Sequence, residues 1–129
     1  MTTPYTLKRL TEVEDSAPKF GMGEIEEARF CNGDLDAETT GISFHRLKSG
    51  MRQPFGHKHD KAEEVYVVLS GSGRVRLDDE IVELAELDAI RVEPKVMRAF
   101  EAGPDGMAWL AFGPHHEKDG DMDREFWQD

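Results

Sequence analysis

Apolar and polar residues alternate with a period of two over much of the chain between residues 26 and 112, and turn-forming residues interrupt the pattern repeatedly. A period of two is that of a β-strand with one buried face, whereas a helix repeats every 3.6 residues. The strongest run is EVYVVLSG at 64–71, where β-branched and aromatic residues dominate and glycine ends the run. We predict a strand there.

Several other segments show the same pattern more weakly. The predicted strands are 26–30, ending at a turn at Asn32-Gly33; 41–50; 74–77 and 81–84, joined as a hairpin by Asp78-Asp79; 89–92; 96–100; and 107–112. Seven or eight strands with close turns and no long helix predict an all-β sandwich or barrel. The barrel core would span about 26–112.

The two ends carry apolar residues outside this pattern. Leu7, Leu10 and Val13 would line one face of a short helix or cap one end of the barrel, and the sequence leaves both open. The tail 113–129 is polar, but Met122, Phe126 and Trp127 would fall near one face of a helix. A docked terminal turn is the favoured interpretation, and a contact between subunits is the alternative.

Length and charge limit the classes of function. A chain of 129 residues suits one domain, 1–129, and its net charge of −11 disfavours binding to nucleic acids or anionic membranes. No apolar stretch approaches the roughly 20 residues of a spanning helix, and the N-terminal residues lack a secretion signal. We therefore expect a soluble, cytoplasmic protein. The single cysteine, Cys31, rules out an internal disulfide and a cysteine-based zinc site.

A cluster of metal-ligating residue types precedes the strongest strand. Residues two apart on an extended chain point to the same side, so His57 and His59 would aim both imidazoles at one point while Lys58 faces away. Glu64 would begin the next strand with its carboxylate directed back toward them. Two imidazoles and one carboxylate leave positions on a metal free, and they suit iron, manganese, nickel, cobalt or zinc.

The choice between Glu63 and Glu64 depends on register, because pleating sends one inward and the other outward. If Glu64 faces inward, then Tyr66, Val68 and Ser70 should do so too. Either register leaves an apolar face, so the alternation alone keeps both open.

The segment from His57 to Gly71 resembles the first signature of the cupin superfamily. That signature has a glycine, five residues, His-x-His, three or four residues, a glutamate, six residues and a glycine, and this chain has His57-x-His59, Glu64 and Gly71. The spacing to Gly71 selects Glu64, while Gly50 lies six residues before His57 rather than five. The resemblance implies a double-stranded β-helix, a small jelly-roll barrel with short terminal extensions and a site inside its mouth.

The second cupin signature is poorly matched. In order along the chain, that signature has a glycine, a proline, a second glycine, a histidine and an asparagine. The residues at these positions here are Leu87, Glu93, Lys95, Arg98 and Ala102. The fourth metal ligand of the family is therefore absent. The order of turns and β-rich segments is retained, so the resemblance to the fold holds over about residues 40–112.

Arg98 changes the argument for a metal. A guanidinium about 5 Å from a divalent ion would cost about 6 to 7 kcal/mol at an effective dielectric near 20. Arg98 would therefore turn away toward Glu93, Glu101 or solvent, clamp an anionic substrate beside the metal, or pair with Glu64 in place of a metal. The first two arrangements keep a metal site, and the third makes a metal-free pocket.

Other polar residues are weaker candidates for the site. Tyr66 and Gln53 are expected to line a substrate pocket, Tyr66 by its inward register and Gln53 by its position near the histidines. His45 would be a pocket wall, an extra ligand or, as the favoured interpretation, an exposed strand residue. His115 and His116 are adjacent, so at most one would reach a shared site, and we expect a solvated pair.

The leading hypothesis is a barrel that binds a divalent metal through His57, His59 and Glu64 and holds a small polar, anionic ligand with help from Arg98. Members of the family include isomerases and epimerases, dioxygenases, decarboxylases and non-catalytic binding proteins. The resemblance also implies a homodimer. The alternative is a non-enzymatic, metal-free binding module in which Arg98 pairs with Glu64. The sequence does not decide whether the protein is an enzyme.

Overall fold

The structure is a computed structural model and describes residues 4–116 and 119–128. Its strands are β1 (Glu26–Phe30), β2 (Thr40–Leu47), β3 (Gly56–His59), β4 (Glu64–Leu77), β5 (Glu80–Ala85), β6 (Ala89–Val92), β7 (Arg98–Pro114) and β8 (Gly120–Asp123). The helical pieces are two 3₁₀ turns, Leu10–Glu12 and Ala17–Phe20, and one α-helical turn, α1 (Asn32–Leu35). Within the described residues, no helix is long and apolar enough to cross a membrane.

Two long strands, β4 and β7, connect two antiparallel layers. In one layer the first half of β4 and the second half of β7 lie between β6 and the pair β2–β1. In the other layer the second half of β4 and the first half of β7 lie between β5 and the pair β3–β8. The predicted strands at 64–71 and 74–77 are thus one strand, as are those at 96–100 and 107–112. Because each long strand belongs to both layers, the sheet curls into a barrel, and the all-β fold class is confirmed.

The bend in β4 depends on local irregularities in its pairing with β7. The register shifts between Val68 and Ser70 and again between Gly71 and Gly73. Gly71 has φ +74°, and a Cβ at this position would lie 2.0 Å from the carbonyl oxygen of Gly106, so only glycine fits. The first shift also ends the inward alternation, because Ser70 is exposed although Tyr66 and Val68 are buried. The prediction that Ser70 faces inward is therefore wrong.

The segment that matches the second signature poorly still has the backbone conformation that the signature implies at its first position. Leu87, at the position of the expected glycine, has φ +66° and an exposed side chain. A left-handed conformation costs a non-glycine residue about 1 kcal/mol. The turn thus has the left-handed conformation that glycine usually adopts, although its residue is Leu87. The predicted turn at Asp78-Asp79 also contains a residue with positive φ, Asp78.

The core lies between the two layers. It consists of inward residues of β2, β4 and β7 with contributions from β5 and β6, and its most deeply buried apolar side chains are Leu47, Val68, Val75, Phe100, Met107 and Trp109. Burying each such side chain contributes about 1.5–3 kcal/mol. The Phe100 and Trp109 rings stack at 4.5 Å between centroids, which fixes one wall of the interior.

The ends of the chain differ partly from expectation. At the N-terminus Val13 is buried and follows the first 3₁₀ turn, but Leu7 is exposed, so Leu7 neither packs on a helix nor caps the barrel. In the tail, Phe126 is buried and Trp127 donates from Nε1 to the carbonyl of Gln53 at 2.6 Å, which confirms a docked terminus. Met122 lies in a strand, β8, rather than on a helical face.

Candidate metal centre

The three predicted ligands come from two short stretches at the same end of the barrel. His57 and His59 both lie on β3 and point to one side, while Glu64 is the first residue of β4 and pairs with Val92 of β6. The connection between the strands is held by Asp119, whose carboxylate accepts the backbone N–H groups of residues 60, 61 and 62 at 3.0–3.1 Å. These three hydrogen bonds fix the backbone shortly before β4 begins at Glu64.

The ligand atoms of His57, His59 and Glu64 converge, and one such atom from each lies within 4.8 Å of the other two. The Oε1 atom of Glu64 is 3.1 Å from Nε2 of His59 and 3.6 Å from Nε2 of His57. The contact of His59 with Glu64 is short but does not have the geometry of a hydrogen bond, so within the described residues Nε2 of His59 has no hydrogen-bond partner. A buried nitrogen without a partner is costly. A cation between these atoms would satisfy it, so the residues present fit a metal.

The electrostatics of the cluster favour the protonation states that a metal needs. Burial alone would raise the pKa of Glu64, but contacts with His57, His59 and Tyr66 outweigh it and hold this pKa well below its usual range. Burial also lowers the pKa of His57; the Glu64 carboxylate opposes the shift, and Arg98 adds to it. An ionised carboxylate beside a neutral imidazole is the form that binds divalent ions.

A further carboxylate contacts the cluster from outside. Oδ2 of Asp119 lies 3.5 Å from Nδ1 of His59, on the side of the ring opposite Glu64. Within the described residues Nδ1 of His59 forms no hydrogen bond, so Asp119 contacts the ring only by charge. Carboxylates that do bond to this nitrogen orient metal-bound imidazoles in many proteins. The sequence pointed to no role for Asp119, since it lies in a polar tail and its function in the fold depends on the docking of β8 beside β3.

The cluster lies on the wall of a cavity of about 260 Å³. Apolar and aromatic side chains form most of the cavity surface, and they include Met22, Phe55, Phe100 and Trp109. Three partly exposed residues, Phe20, Phe30 and Met122, lie at its opening. A metal held by the cluster would therefore face a largely apolar space that limits access of water.

His45 faces this cavity, so its favoured interpretation as an exposed residue is wrong. The ring stacks on Trp109 at 5.3 Å between centroids, and Nε2 bonds to Oγ of Ser43 at 2.8 Å. Burial, with the nearby His57, lowers the pKa of His45 to about 4 despite the opposing charge of Glu64. Its Nδ1 is buried and lacks a hydrogen-bond partner among the described residues, which leaves it available to a ligand.

Tyr66 and Gln53 also line the cavity. The hydroxyl of Tyr66 donates to Oε1 of Glu64, and burial together with the Glu64 charge raises the pKa of Tyr66. Gln53 is buried, and its Oε1 accepts the backbone N–H of Phe100 at 3.1 Å. The positions of both residues agree with a pocket-lining role.

Arg98 lies opposite His57 in the pairing of β3 with β7, and it is completely buried. Its Nη1 and Nη2 atoms donate to the carbonyl oxygens of Pro94 and Glu93 at 3.3 and 3.2 Å. Within the described residues Arg98 forms no ion pair with Glu64, and Arg98 is absent from the cavity lining. The guanidinium is turned away toward Glu93, as the first of the three expected arrangements requires.

The remaining histidines lie outside the cluster. His115 and His116 are both exposed, as expected for a solvated pair, and Nδ2 of Asn32 donates to Nδ1 of His115 at 3.2 Å. They line a second cavity together with His59 and Glu64, but they are not among the converging ligand residues.

One cavity residue was missed at the sequence level. Glu26 on β1 is only 2% exposed, and it lines the cavity. Burial raises the pKa of Glu26 to about 7, the bond from Gln53 opposes the shift, and the charge of Asp15 adds to it. The available signal was the alternation of Glu26, Ala28 and Phe30, which places the three on one face of β1, but the neighbouring Glu27 made the choice of carboxylate ambiguous.

No protein-family model matches the sequence, and no curated protein is significantly similar to it. Solved structures do resemble the fold. A cupin protein from Bacteroides fragilis is 24% identical with a TM-score of 0.71, over 91% of this chain and 89% of that one. Oxalate decarboxylase from Bacillus subtilis is 20% identical with a TM-score of 0.76, over 94% of this chain, which spans about a third (32%) of that enzyme.

The polyketide cyclase RemF from Streptomyces resistomycificus is 18% identical with a TM-score of 0.74, over 100% of this chain and 89% of that one. At these identities the likeness concerns the fold and leaves the activity open. The chain has the cupin fold, and the resemblance based on His57, His59, Glu64 and Gly71 is confirmed at that level.

Proposed function

We propose that the barrel binds a divalent metal through His57, His59 and Glu64 and presents it to a small-molecule ligand in the adjoining cavity. The observation that carries this proposal is the convergence of the three ligand atoms within 4.8 Å, with Nε2 of His59 buried and unpartnered among the described residues. An imidazole pair and a carboxylate leave coordination positions free for a ligand. Iron, manganese, nickel, cobalt and zinc all suit these ligands.

The chemistry we propose is that of a metal-dependent isomerase or epimerase, or of a dioxygenase. Bound at this site, the metal would act as a Lewis acid on an oxygen of the ligand. Tyr66 orients the carboxylate of Glu64 through its hydroxyl. His45, with Nε2 bonded to Ser43, directs a free Nδ1 at the ligand, where it can accept or donate a hydrogen bond. The aromatic walls exclude water and position an apolar part of the ligand.

The role proposed for Arg98 as a ligand clamp requires a movement. To reach the cavity, its guanidinium would have to release the carbonyl groups of Glu93 and Pro94. The metal-free alternative requires a similar movement, because Arg98 would have to turn toward Glu64. In the arrangement described, Arg98 instead links the start of β7 to the preceding turn.

The proposal is tested by elemental analysis of the untagged protein, purified without chelator. We expect close to one equivalent of a divalent metal, and we expect it to be lost in the double variant His57→Ala, His59→Ala. The matched control is His115→Ala, His116→Ala, which also removes two histidines but leaves the centre intact. The proposal fails if the wild type neither contains nor takes up any of the five metals, or if the control loses metal as completely as the centre variant.

The proposal also includes the oligomeric state, the cellular location and the partners of the protein. We expect a homodimer, by the resemblance to cupins, and a cytoplasmic protein that has a small-molecule ligand and no nucleic-acid partner. Size-exclusion chromatography with light scattering would measure the oligomeric state directly.

A further inference from the structure

Two groups of polar residues line the cavity, the metal centre with His45 and the pair Glu26 and Gln53, and we call them its two ends. Most of the other lining residues are apolar. The metal centre lies at one end, beside His45. Glu26 lies at the other end on β1, where Ala28 pairs with His45 and Glu26 is two residues further along. Two residues of a strand span about 7 Å. On β1, Glu26 is thus offset from the residue paired with His45, and a ligand that contacts both ends must bridge this offset.

The carboxyl group of Glu26 is held by few protein contacts. Its only hydrogen bond from a described side chain comes from Nε2 of Gln53, at a long 3.4 Å. Burial and the charge of Asp15 raise the pKa of Glu26, and the hydrogen bond from Gln53 lowers it. No cationic group is among these influences. Residues that are buried and charged are ordinarily paired, so a carboxyl here is suited to remain neutral and to donate a hydrogen bond.

Gln53 is well placed to hold this carboxyl in one orientation. Its Oε1 accepts the N–H of Phe100, and its backbone N–H donates to the carbonyl of Phe100 at 2.9 Å. Its carbonyl also accepts the indole N–H of Trp127. The side-chain amide of Gln53 is thus held through Oε1 and its backbone through two further hydrogen bonds, and Nε2 remains for Glu26.

The walls between the two ends favour a flat ligand. Phe100 and Trp109 stack on each other, and Trp109 also stacks on His45, so these rings meet a ligand through the surfaces that those contacts leave free. Phe55 and Met22 also line the cavity. Aromatic walls bind planar unsaturated groups through stacking or edge contacts. A fully polar ligand would lose its hydration against these walls without replacement.

We propose that Glu26, oriented by Gln53, is the second ligand-binding group of the cavity and donates a hydrogen bond to an oxygen of a planar, largely apolar ligand whose other end faces the metal centre. This inference deepens the proposed function and rests on it. It replaces the small polar anion expected from the sequence with an aromatic or conjugated compound that carries oxygen at two separated positions.

The inference is tested with hydroxamates, because this group binds divalent metals and can carry a ring into the cavity. Isothermal titration calorimetry of the zinc-loaded protein would compare benzohydroxamate with its 3- and 4-methoxy and its 3- and 4-ethyl derivatives. Methoxy and ethyl groups are similar in size, but only methoxy accepts a hydrogen bond. We expect the wild type to prefer methoxy over ethyl by about fivefold at one of the two positions, the value of one hydrogen bond.

Substitutions of Glu26 determine whether this preference arises from its carboxyl. Glu26→Gln should retain part of the preference, since an amide also donates, whereas Glu26→Leu should abolish it. The matched control is Glu27→Leu, on the outward face of the same strand, where Glu27 pairs with Arg29 and Arg46. Thermal unfolding and zinc content of each variant establish that the barrel and the metal centre are intact.

The possible failures are distinguishable. If none of the five metals binds, or if benzohydroxamate itself does not bind to the metal-loaded protein, the proposed function fails. If benzohydroxamate binds but no methoxy derivative is preferred, or if the preference survives in Glu26→Leu, the assignment of Glu26 is overturned while the metal centre stands.

Discussion

Two buried carboxyl groups line the same cavity, and the barrel gives them opposite properties. Glu64 is surrounded by His57, His59 and the donating hydroxyl of Tyr66, and these contacts hold its pKa well below the usual range. Among the described side chains, only the amide of Gln53 hydrogen-bonds to Glu26, and burial raises the pKa of Glu26 to about 7. One carboxyl is thus kept ionised, and the other is kept protonated below neutral pH.

The difference shows that burial by itself does not determine the role of a carboxyl. Desolvation disfavours the ionised form at both positions, but only Glu64 has enough donors to overcome it. A site that holds one ionised and one neutral carboxyl can bind a cation at one end and donate a proton or a hydrogen bond at the other. Substitutions of Glu64 and Glu26 should therefore differ in their effects on metal affinity and on the pH dependence of stability.

The largest effect is expected on metal affinity. Glu64→Gln replaces a charged ligand with a neutral one and should weaken zinc binding by about a thousandfold, or ~4 kcal/mol. Glu26→Gln should leave zinc affinity unchanged, because Glu26 belongs to the other end of the cavity. Competition titration with a chromophoric chelator measures both. Equal losses in the two variants would contradict the division of roles.

The next effect concerns the pH dependence of stability. The pKa of Glu26 is raised from 4.5 to about 7 in the folded state, so its contribution is fully present below about pH 4.5 and is lost as the pH rises through 7. The free energy of unfolding of the wild type, relative to Glu26→Gln, should therefore fall by about 3 kcal/mol between pH 4 and pH 8. Urea denaturation at several pH values measures this difference.

The shift of Glu64 has the opposite sign but does not obscure this measurement. Because the folded-state pKa of Glu64 is depressed, its contribution is present above pH 4.5 and is lost as the pH falls further. It acts in the wild type and in Glu26→Gln alike, so it cancels in their difference. A difference that does not change with pH would show that Glu26 is not held neutral.

Arg98 tests the metal end from the opposite strand. Arg98→His removes a positive charge and places an imidazole opposite His57, so zinc affinity should rise by about thirtyfold, or ~2 kcal/mol. Arg98→Met removes the charge without adding a ligand and should give a smaller gain. If the wild type binds no metal and Arg98→His alone does, the metal-free alternative is favoured instead.

The smallest effect is expected at Tyr66. Tyr66→Phe removes the hydroxyl that donates to Glu64 and should weaken zinc binding by about fivefold, or ~1 kcal/mol. The same substitution should leave the preference for methoxy hydroxamates unchanged, since that preference is assigned to Glu26. A loss of zinc binding as large as that in Glu64→Gln would mean that Tyr66 is itself part of the ligand set.

The sequence predicted the barrel and one end of its cavity. The β-branched run after Glu64 and the spacing from His57 to Gly71 are properties of short segments, so they can be recognised without knowing the rest of the fold. Gly71 has the positive φ and the close approach to a neighbouring backbone that its position requires. Inward alternation correctly placed Tyr66 and Val68. It failed at Ser70 because a shift in register intervenes there, and single-strand patterns do not show such shifts.

The remaining features depend on contacts between distant parts of the chain. The segment Gly120–Asp123 has no strand pattern of its own and becomes a strand by pairing with β3. Glu26 becomes a cavity residue because β1 pairs with β2 beside His45. The orientation of Arg98 depends on two backbone carbonyl groups of the preceding turn, and no side-chain pattern in the sequence indicates them.

The central claim is that His57, His59 and Glu64 hold a metal at one end of the cavity. It is tested most directly by anomalous diffraction from crystals of the zinc-loaded protein, recorded on both sides of the zinc absorption edge. The account predicts one strong anomalous peak within bonding distance of Nε2 of His57, Nε2 of His59 and a carboxylate oxygen of Glu64. A peak only at His115 and His116, or no peak together with an ion pair between Arg98 and Glu64, would contradict it.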